Sequence, residues 1–316
     1  MHHYLQMRGR VWAVTSWLLG LTGVRTVAPG AVLVAGLALA VPSANAQGVS
    51  LPWAQSPWMQ SHGSKARLIG GTLTAAGGRK HLLAGLEIRL DEGWKTYWRN
   101  PGDAGGMAPN LSWSGSRNLA SARVLYPAPH RFVDAAGETI GYKHGVVLPV
   151  EIAASNPAKP VMLALRVEYG VCREICVPAE ARFELTITPG HASVPQQLAS
   201  ALSAVPSPAA GEGLHLKSAA AVLSGSSPHL SFDITGATGA GVDLFVEAPG
   251  NIYLPMTTKA GQPSQGIQRF SIDLRNVDDI KLLPGKRLRL TMTGPTTSTE
   301  QAWIVPQADR PAAAHQ

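Results

Sequence analysis

A chain of 316 residues, 45% of them hydrophobic, 15% charged and 6% aromatic, is too apolar and too regularly patterned to be disordered throughout. Its net charge is +7, of which Arg8, Arg10 and Arg25 supply three within an acid-free leader; the remaining +4 is spread without a basic run, which argues against nucleic acid as a partner. The 33 Gly and 24 Pro favour many short strands over long helices.

Residues 1–46 have the anatomy of a secretory signal peptide. An apolar run from Ala31 to Val41 precedes Ala44 and Ala46, the two small residues a signal peptidase reads, so cleavage is expected before Gln47. The alternative is an uncleaved membrane anchor, but an apolar run of about 11 residues is short against the roughly 20 a span needs. Beyond the leader no stretch of 18 apolar residues occurs, so the mature protein is expected to be soluble and periplasmic, touching a membrane only through partners.

Residues 56–190 read as one strand-rich domain. From His81 to Leu90, then from Val161 to Tyr169 and from Ala181 to Ile187, apolar and polar side chains alternate with period two. Such alternation marks strands with one buried face, and several of them between Gly/Pro turns favour a sandwich or barrel. Residues 191–213, rich in Pro, Ala, Ser and Gly, read as a linker with a short helix near Val194 to Val205. Residues 214–306 read as a second small β domain, with strands over Leu230–Ile234, Val242–Ala248, Gln268–Leu274, Arg287–Met292 and Trp303–Val305. Residues 307–316 read as a loose tail.

Only two cysteines occur, Cys172 and Cys176. In an exported protein a disulfide between them is the default. If Arg173, Glu174 and Ile175 form a hairpin loop, the cysteines face each other with Cα atoms about 4.5–5.5 Å apart, inside the range a disulfide tolerates. Odd positions in the flanking segments are apolar and even ones polar, so both cysteines extrapolate to the polar face. Closing a loop of about five residues is worth roughly 2 kcal/mol, the weak end for a disulfide. A chemical role therefore stands beside a structural one. Arg173 favours a thiolate and Glu174 opposes it. Two thiolates with His130 or His144 form a third alternative, a metal site, but these histidines lack ligand spacing.

The run Gly93-Trp-Lys-Thr-Tyr-Trp-Arg-Asn-Pro-Gly-Asp103, then Pro109-Asn-Leu-Ser-Trp-Ser114, Tyr126-Pro-Ala-Pro-His-Arg-Phe132, Ile140-Gly-Tyr142 and Tyr169 to Pro178 resembles the periplasmic N-terminal domain of DsbD-type protein-disulfide reductases. The resemblance is strongest to the branch typified by the suppressor-of-copper-sensitivity protein ScsB. It implies an all-β architecture: an immunoglobulin-like β-sandwich, followed here by the second small β-sandwich domain. It also implies that Cys172 and Cys176 shuttle electrons by thiol–disulfide exchange, with no cofactor. The implied partners are a membrane-embedded or thioredoxin-like electron donor and a periplasmic disulfide-bearing acceptor. This sequence shows neither a membrane domain nor a thioredoxin-like domain, so the donor is expected to be a separate protein. Two other readings stay open: a non-enzymatic binding or scaffold protein with a structural disulfide, and a copper-handling protein.

In the resembling fold an aromatic loop shields the disulfide. Phe132 and Tyr142 are the candidate caps, against the more usual role of aromatic side chains in β-sandwiches as core packing, and Trp94, Tyr97 and Trp98 sit in the family's aromatic motif. Asp103, Asp134 and Glu138 lie in Gly/Pro-rich surroundings and read as solvated loop carboxylates.

Overall fold

The computed structural model describes residues 52–307, apart from 75–77, 79, 135–136, 190–192, 210–212, 237–240 and 251. The stretch that reads as a signal peptide and nearly all of the stretch that reads as a tail lie outside the described residues. Among the described residues no helix is long and apolar enough to cross a membrane.

The first sandwich contains β1 (Ala54–Gln55), β2 (Met59–Ser61), β3 (Ser64–Thr74), β4 (Lys80–Leu90), β5 (Lys95–Tyr97) and β6 (Asn110–Ser112). It continues through β7 (Leu119–Val124), β8 (His130–Asp134), β9 (Gly137–Lys143), β10 (Gly145–Ala154), β11 (Val161–Cys172) and β12 (Cys176–Ile187). One sheet runs β1-β3-β4-β10-β7, with β2 on β3; the other runs β12-β11-β5-β9-β8, with β6 on β11. The apolar parity of β4, β11 and β12 decides which faces meet. Leu86, Ile88, Leu163, Leu165, Val167, Tyr169, Val171, Phe183 and Leu185 are all buried in one core. Burying such side chains is worth roughly 1.5–3 kcal/mol each.

The stretch that reads as a linker carries helix α1 (Gln196–Ser203). Its Leu198 is fully buried against Ile69 and Leu83 on the outer side of the first sheet. Those two side chains point away from the main core, so the helix covers an apolar patch that would otherwise face water.

The second sandwich contains β13 (Ser207–Pro208), β14 (His215–Val222), β15 (His229–Thr235), β16 (Asp243–Glu247), β17 (Thr258–Ser264), β18 (Ile267–Asp273), β19 (Arg287–Thr293) and β20 (Ser298–Ile304). Its two four-stranded sheets run β13-β20-β19-β16 and β14-β15-β18-β17. Leu230, Phe232, Ile234, Leu244, Phe270, Ile272, Leu290 and Met292 form its core.

The two sandwiches touch through side chains that strand parity turns outward. In β16, Leu244 and Val246 face the second core while Phe245 joins the core of the first, its ring 5.7 Å from that of Trp98. Around this apolar contact lie charged pairs. Arg99 reaches Glu247 and Glu300, each at 2.7 Å, and Arg131 reaches Asp243 at 2.8 Å. Burial lowers the pKa of both guanidinium groups, but their hydrogen bonds to these carboxylates outweigh it, so both are raised. Ion pairs this sheltered are costly to break on one side only.

Candidate functional site

The long hairpin β11–β12 places the cysteines. Its twelve paired positions run without a register shift from Val161↔Ile187 to Cys172↔Cys176. The last pair is joined as a disulfide with a Cα–Cα distance of 4.1 Å. Arg173, Glu174 and Ile175 form the tip, all exposed. Because the register is unbroken, both cysteines lie on the face shared with Arg166 and Glu180, as parity requires.

That face is polar but not uniformly open. Cys172 is only 7% exposed, whereas Cys176 is exposed. A polar-face position is not a solvated one at Cys172, because β5 pairs with the end of β11. Lys95 stands opposite Cys172 and Thr96 opposite Val171, so Lys95 and Tyr97 share the face of the disulfide. Lys95 is buried and donates to the Thr139 hydroxyl at 2.9 Å. An ammonium on this face favours a thiolate over a thiol.

Tyr97 is the aromatic side chain that touches the pair. Its hydroxyl lies 3.0 Å from Cys176 Sγ; a disulfide sulfur carries no hydrogen, so the phenol donates. The ring lies between two glycines. A Cβ at Gly170 would stand 2.9 Å from Tyr97 Cε2, and one at Gly106 would stand 2.3 Å from Tyr97 Cε1. Only residues without side chains let β11 on one side and the following loop on the other approach the ring this closely. Gly106 also holds φ +144°, where any other residue is strained.

The two residues expected to cap the disulfide occupy other places. Tyr142 lies opposite Thr96, on the core face, and its hydroxyl donates to Pro127 O at 2.8 Å. Burial pushes its phenol well above the usual tyrosine range. Phe132 does share the outer face, but β5 and β9 separate β8 from β11. Three strand spacings alone set β8 about 14 Å from β11. There Phe132 lies under Lys143, whose Nζ is 4.8 Å from the ring centroid, and beside His130. Parity decides the place of Tyr142 and strand order that of Phe132, and the short strand β5 carries too little alternation to be read in advance.

The loop carboxylates are also engaged rather than simply solvated. Asp103 accepts from the Tyr253 hydroxyl at 2.9 Å and from the Met256 amide at 3.0 Å. Burial, followed by the bond to Asp103, pushes the Tyr253 phenol up to about 12. Glu138 pairs with Arg131 at 2.6 Å. The side chain of Asp134 lies outside the described residues. Among the described residues no three His, Cys, Asp or Glu side chains gather in a way that would hold a metal ion. His130 and His144 are both exposed, His130 at the start of β8 and His144 in the turn between β9 and β10.

Residues 73–188 match the family model described as thiol:disulfide interchange protein DsbD, N-terminal. The match includes both cysteines, Lys95, Tyr97 and the loop above it. No curated protein matches the chain. Among solved structures, the N-terminal periplasmic domain of ScsB from Proteus mirabilis superposes with a TM-score of 0.61 at 20% identity. The superposition covers 80% of this chain and 99% of that one, so the likeness in fold reaches across both sandwiches. Residues 73–188 thus match the model of the DsbD N-terminal domain that the sequence motifs resemble, and the fold as a whole is like that of the ScsB domain.

Proposed function

We propose that the protein is a periplasmic thiol–disulfide exchange module. Its Cys172–Cys176 pair takes electrons from a membrane-embedded or thioredoxin-like donor and passes them to disulfide-bearing periplasmic acceptors. The observation that carries this reading is an exposed Cys176 whose sulfur accepts a hydrogen bond from Tyr97, beside a buried Cys172. The sulfur open to attack is set apart from the one that leaves.

In the reductive half, a donor thiolate attacks Cys176 Sγ. The Cys172–Cys176 bond breaks, a mixed disulfide forms on Cys176, and Cys172 departs as a thiolate next to Lys95. The donor's second thiolate then attacks the donor sulfur of the mixed disulfide. Cys176 leaves as a thiolate that receives the Tyr97 hydrogen bond, and the donor is left oxidised by two electrons. In the oxidative half, the Cys176 thiolate attacks an acceptor disulfide and Cys172 resolves the product. The acceptor leaves as a dithiol and the Cys172–Cys176 bond is restored.

The test is the reduction potential of the pair together with trapping. A potential above about −300 mV, and a mixed disulfide that accumulates on Cys176 in a Cys172→Ser variant, are the expected results. A lower potential with no trapped adduct would return the pair to a structural role. Reducing the wild-type disulfide should cost only about 2 kcal/mol of stability, measured by urea unfolding in both redox states.

A further inference from the structure

Tyr97, Trp98 and Arg99 are consecutive, yet they serve different parts of the molecule. Tyr97 reaches Cys176. Trp98 packs on Phe245 of the second sandwich, and Arg99 is held there by Glu247 and Glu300. Four residues on, Asp103 accepts hydrogen bonds from Tyr253 and from the backbone of Met256, again in the second sandwich. The chain then returns across the Tyr97 ring at Gly106 and is pinned to the cysteine hairpin where the Gly170 amide donates to Met107 O at 3.0 Å.

The segment 98–109 forms neither strand nor helix, and it includes Gly102, Gly105 and Gly106, all at positive φ. Glycines in such a stretch leave many conformations open to it, and holding one of them costs entropy. Backbone ties to its own sandwich are present, including Ala104 N to Glu138 O at 3.0 Å. The side chains of Arg99 and Asp103, however, bond to the second sandwich, and Trp98, itself buried in the first core, packs on Phe245.

We infer that the second sandwich is a latch on the reactive sulfur: through Arg99 and Asp103 it holds the 98–107 segment over Tyr97 and so keeps the Tyr97 hydroxyl on Cys176. Arg99 and Asp103 are then positioning residues, acting on the chemistry only through Tyr97. The inference rests on the reading that Cys176 is the accessible, reactive sulfur. It gives the second sandwich a task in the exchange reaction itself, beyond that of a spacer.

The experiment uses the full chain with Cys172→Ala, so that Cys176 is the single thiol, and follows its alkylation by iodoacetamide as a function of pH. Tyr97→Phe removes the hydrogen bond to the thiolate and should raise the midpoint of the profile by about half a pH unit or more. Asp103→Ala should move it the same way. Asp103→Asn, which keeps an acceptor oxygen for Tyr253 and Met256, should recover most of the shift. Adding Asp103→Ala to Tyr97→Phe should move the midpoint no further, because both act through one group. Lys95, Arg173 and Glu174 are present in every variant, so their influence on the thiolate cancels in the comparison.

Tyr253→Phe removes one anchor without touching the first sandwich; it should give a smaller upward shift, and it decides the matter if Asp103→Ala does not fold. The latch is overturned if the midpoint stays put or falls in Asp103→Ala and Tyr253→Phe. It is equally overturned if Tyr97→Phe causes no shift, or if the Asp103→Ala shift adds in full to that of Tyr97→Phe. Alkylation needs no redox partner. A structural potential for the disulfide would therefore sink the exchange reading while leaving the latch result standing, and a failed latch would leave the measured potential untouched.

Discussion

The two sandwiches are packed alike and used differently. Each closes two sheets over alternating apolar side chains, such as Leu163, Leu165 and Val167 in one and Leu230, Phe232 and Ile234 in the other. The inner faces are interchangeable in kind. The outer faces are not: in the first sandwich the outer face carries the cysteine pair beneath Tyr97, and in the second the outer face of β16, β19 and β20 presents Phe245, Glu247, Thr291 and Glu300 to the first. The core supplies stability in both. What sets the two sandwiches apart is the half of each strand that the core does not see.

The comparison is broken most severely at Phe245, a side chain of the second sandwich buried in the first core. Phe245→Ala should cost about 3–5 kcal/mol in urea unfolding and alter the fluorescence of Trp98. A cost below about 1 kcal/mol would mean that the sandwiches pack independently. A smaller effect separates the two tyrosines of neighbouring strands. Tyr142→Phe leaves Pro127 O without its buried donor and should cost about 1 kcal/mol, yet leave Cys176 alkylation unchanged. A change in alkylation would show that the core-facing ring communicates with the site after all.

The smallest effect lies on the second sandwich, far from any chemistry. Hydrogen bonds from the Arg275 side chain and backbone hold the Asp273 carboxyl down to about 2, against roughly 3.9 in an unfolded chain. Between those values the unfolded state binds the proton first, so stability from this carboxylate is complete above about pH 4. It is lost as pH falls through about 2. The group is fully exposed, so the contribution is slight. Asp273→Asn should flatten the fall in melting temperature between pH 4 and 2 by a degree or so. An unchanged slope would mean that the pair does not form in solution.

Much of this architecture was legible in the order of residues. The alternation from His81 to Leu90 and through β11, β12, β15, β18 and β19 is a local property, and the strands form where it occurs. The three residues between the cysteines fixed the hairpin tip and hence their pairing. Tyr97 escaped because β5 is three residues long and its neighbours are set by long-range register, Cys172↔Lys95 and Thr96↔Tyr142. An aromatic residue in a short motif then reads equally well as core or as cover. Asp103 escaped for a related reason: its partners, Tyr253 and Met256, stand some 150 positions further along the chain. Local composition marks a glycine-rich loop but not what grips it. The glycines were the available signal, since Gly106 and Gly170 both fit a ring that had to lie flat between them.

The hairpin has a consequence of a different order. Eleven paired positions below the cysteines keep β11 and β12 together whether or not the twelfth is covalently closed. The disulfide crosses a junction that the backbone ladder already holds, so gaining or losing two electrons moves sulfur atoms and leaves the scaffold where it was. Such a unit stores charge with little rearrangement of its surroundings. In the exchange proposed above, the tempo of turnover would then fall to how often donor and acceptor proteins meet it.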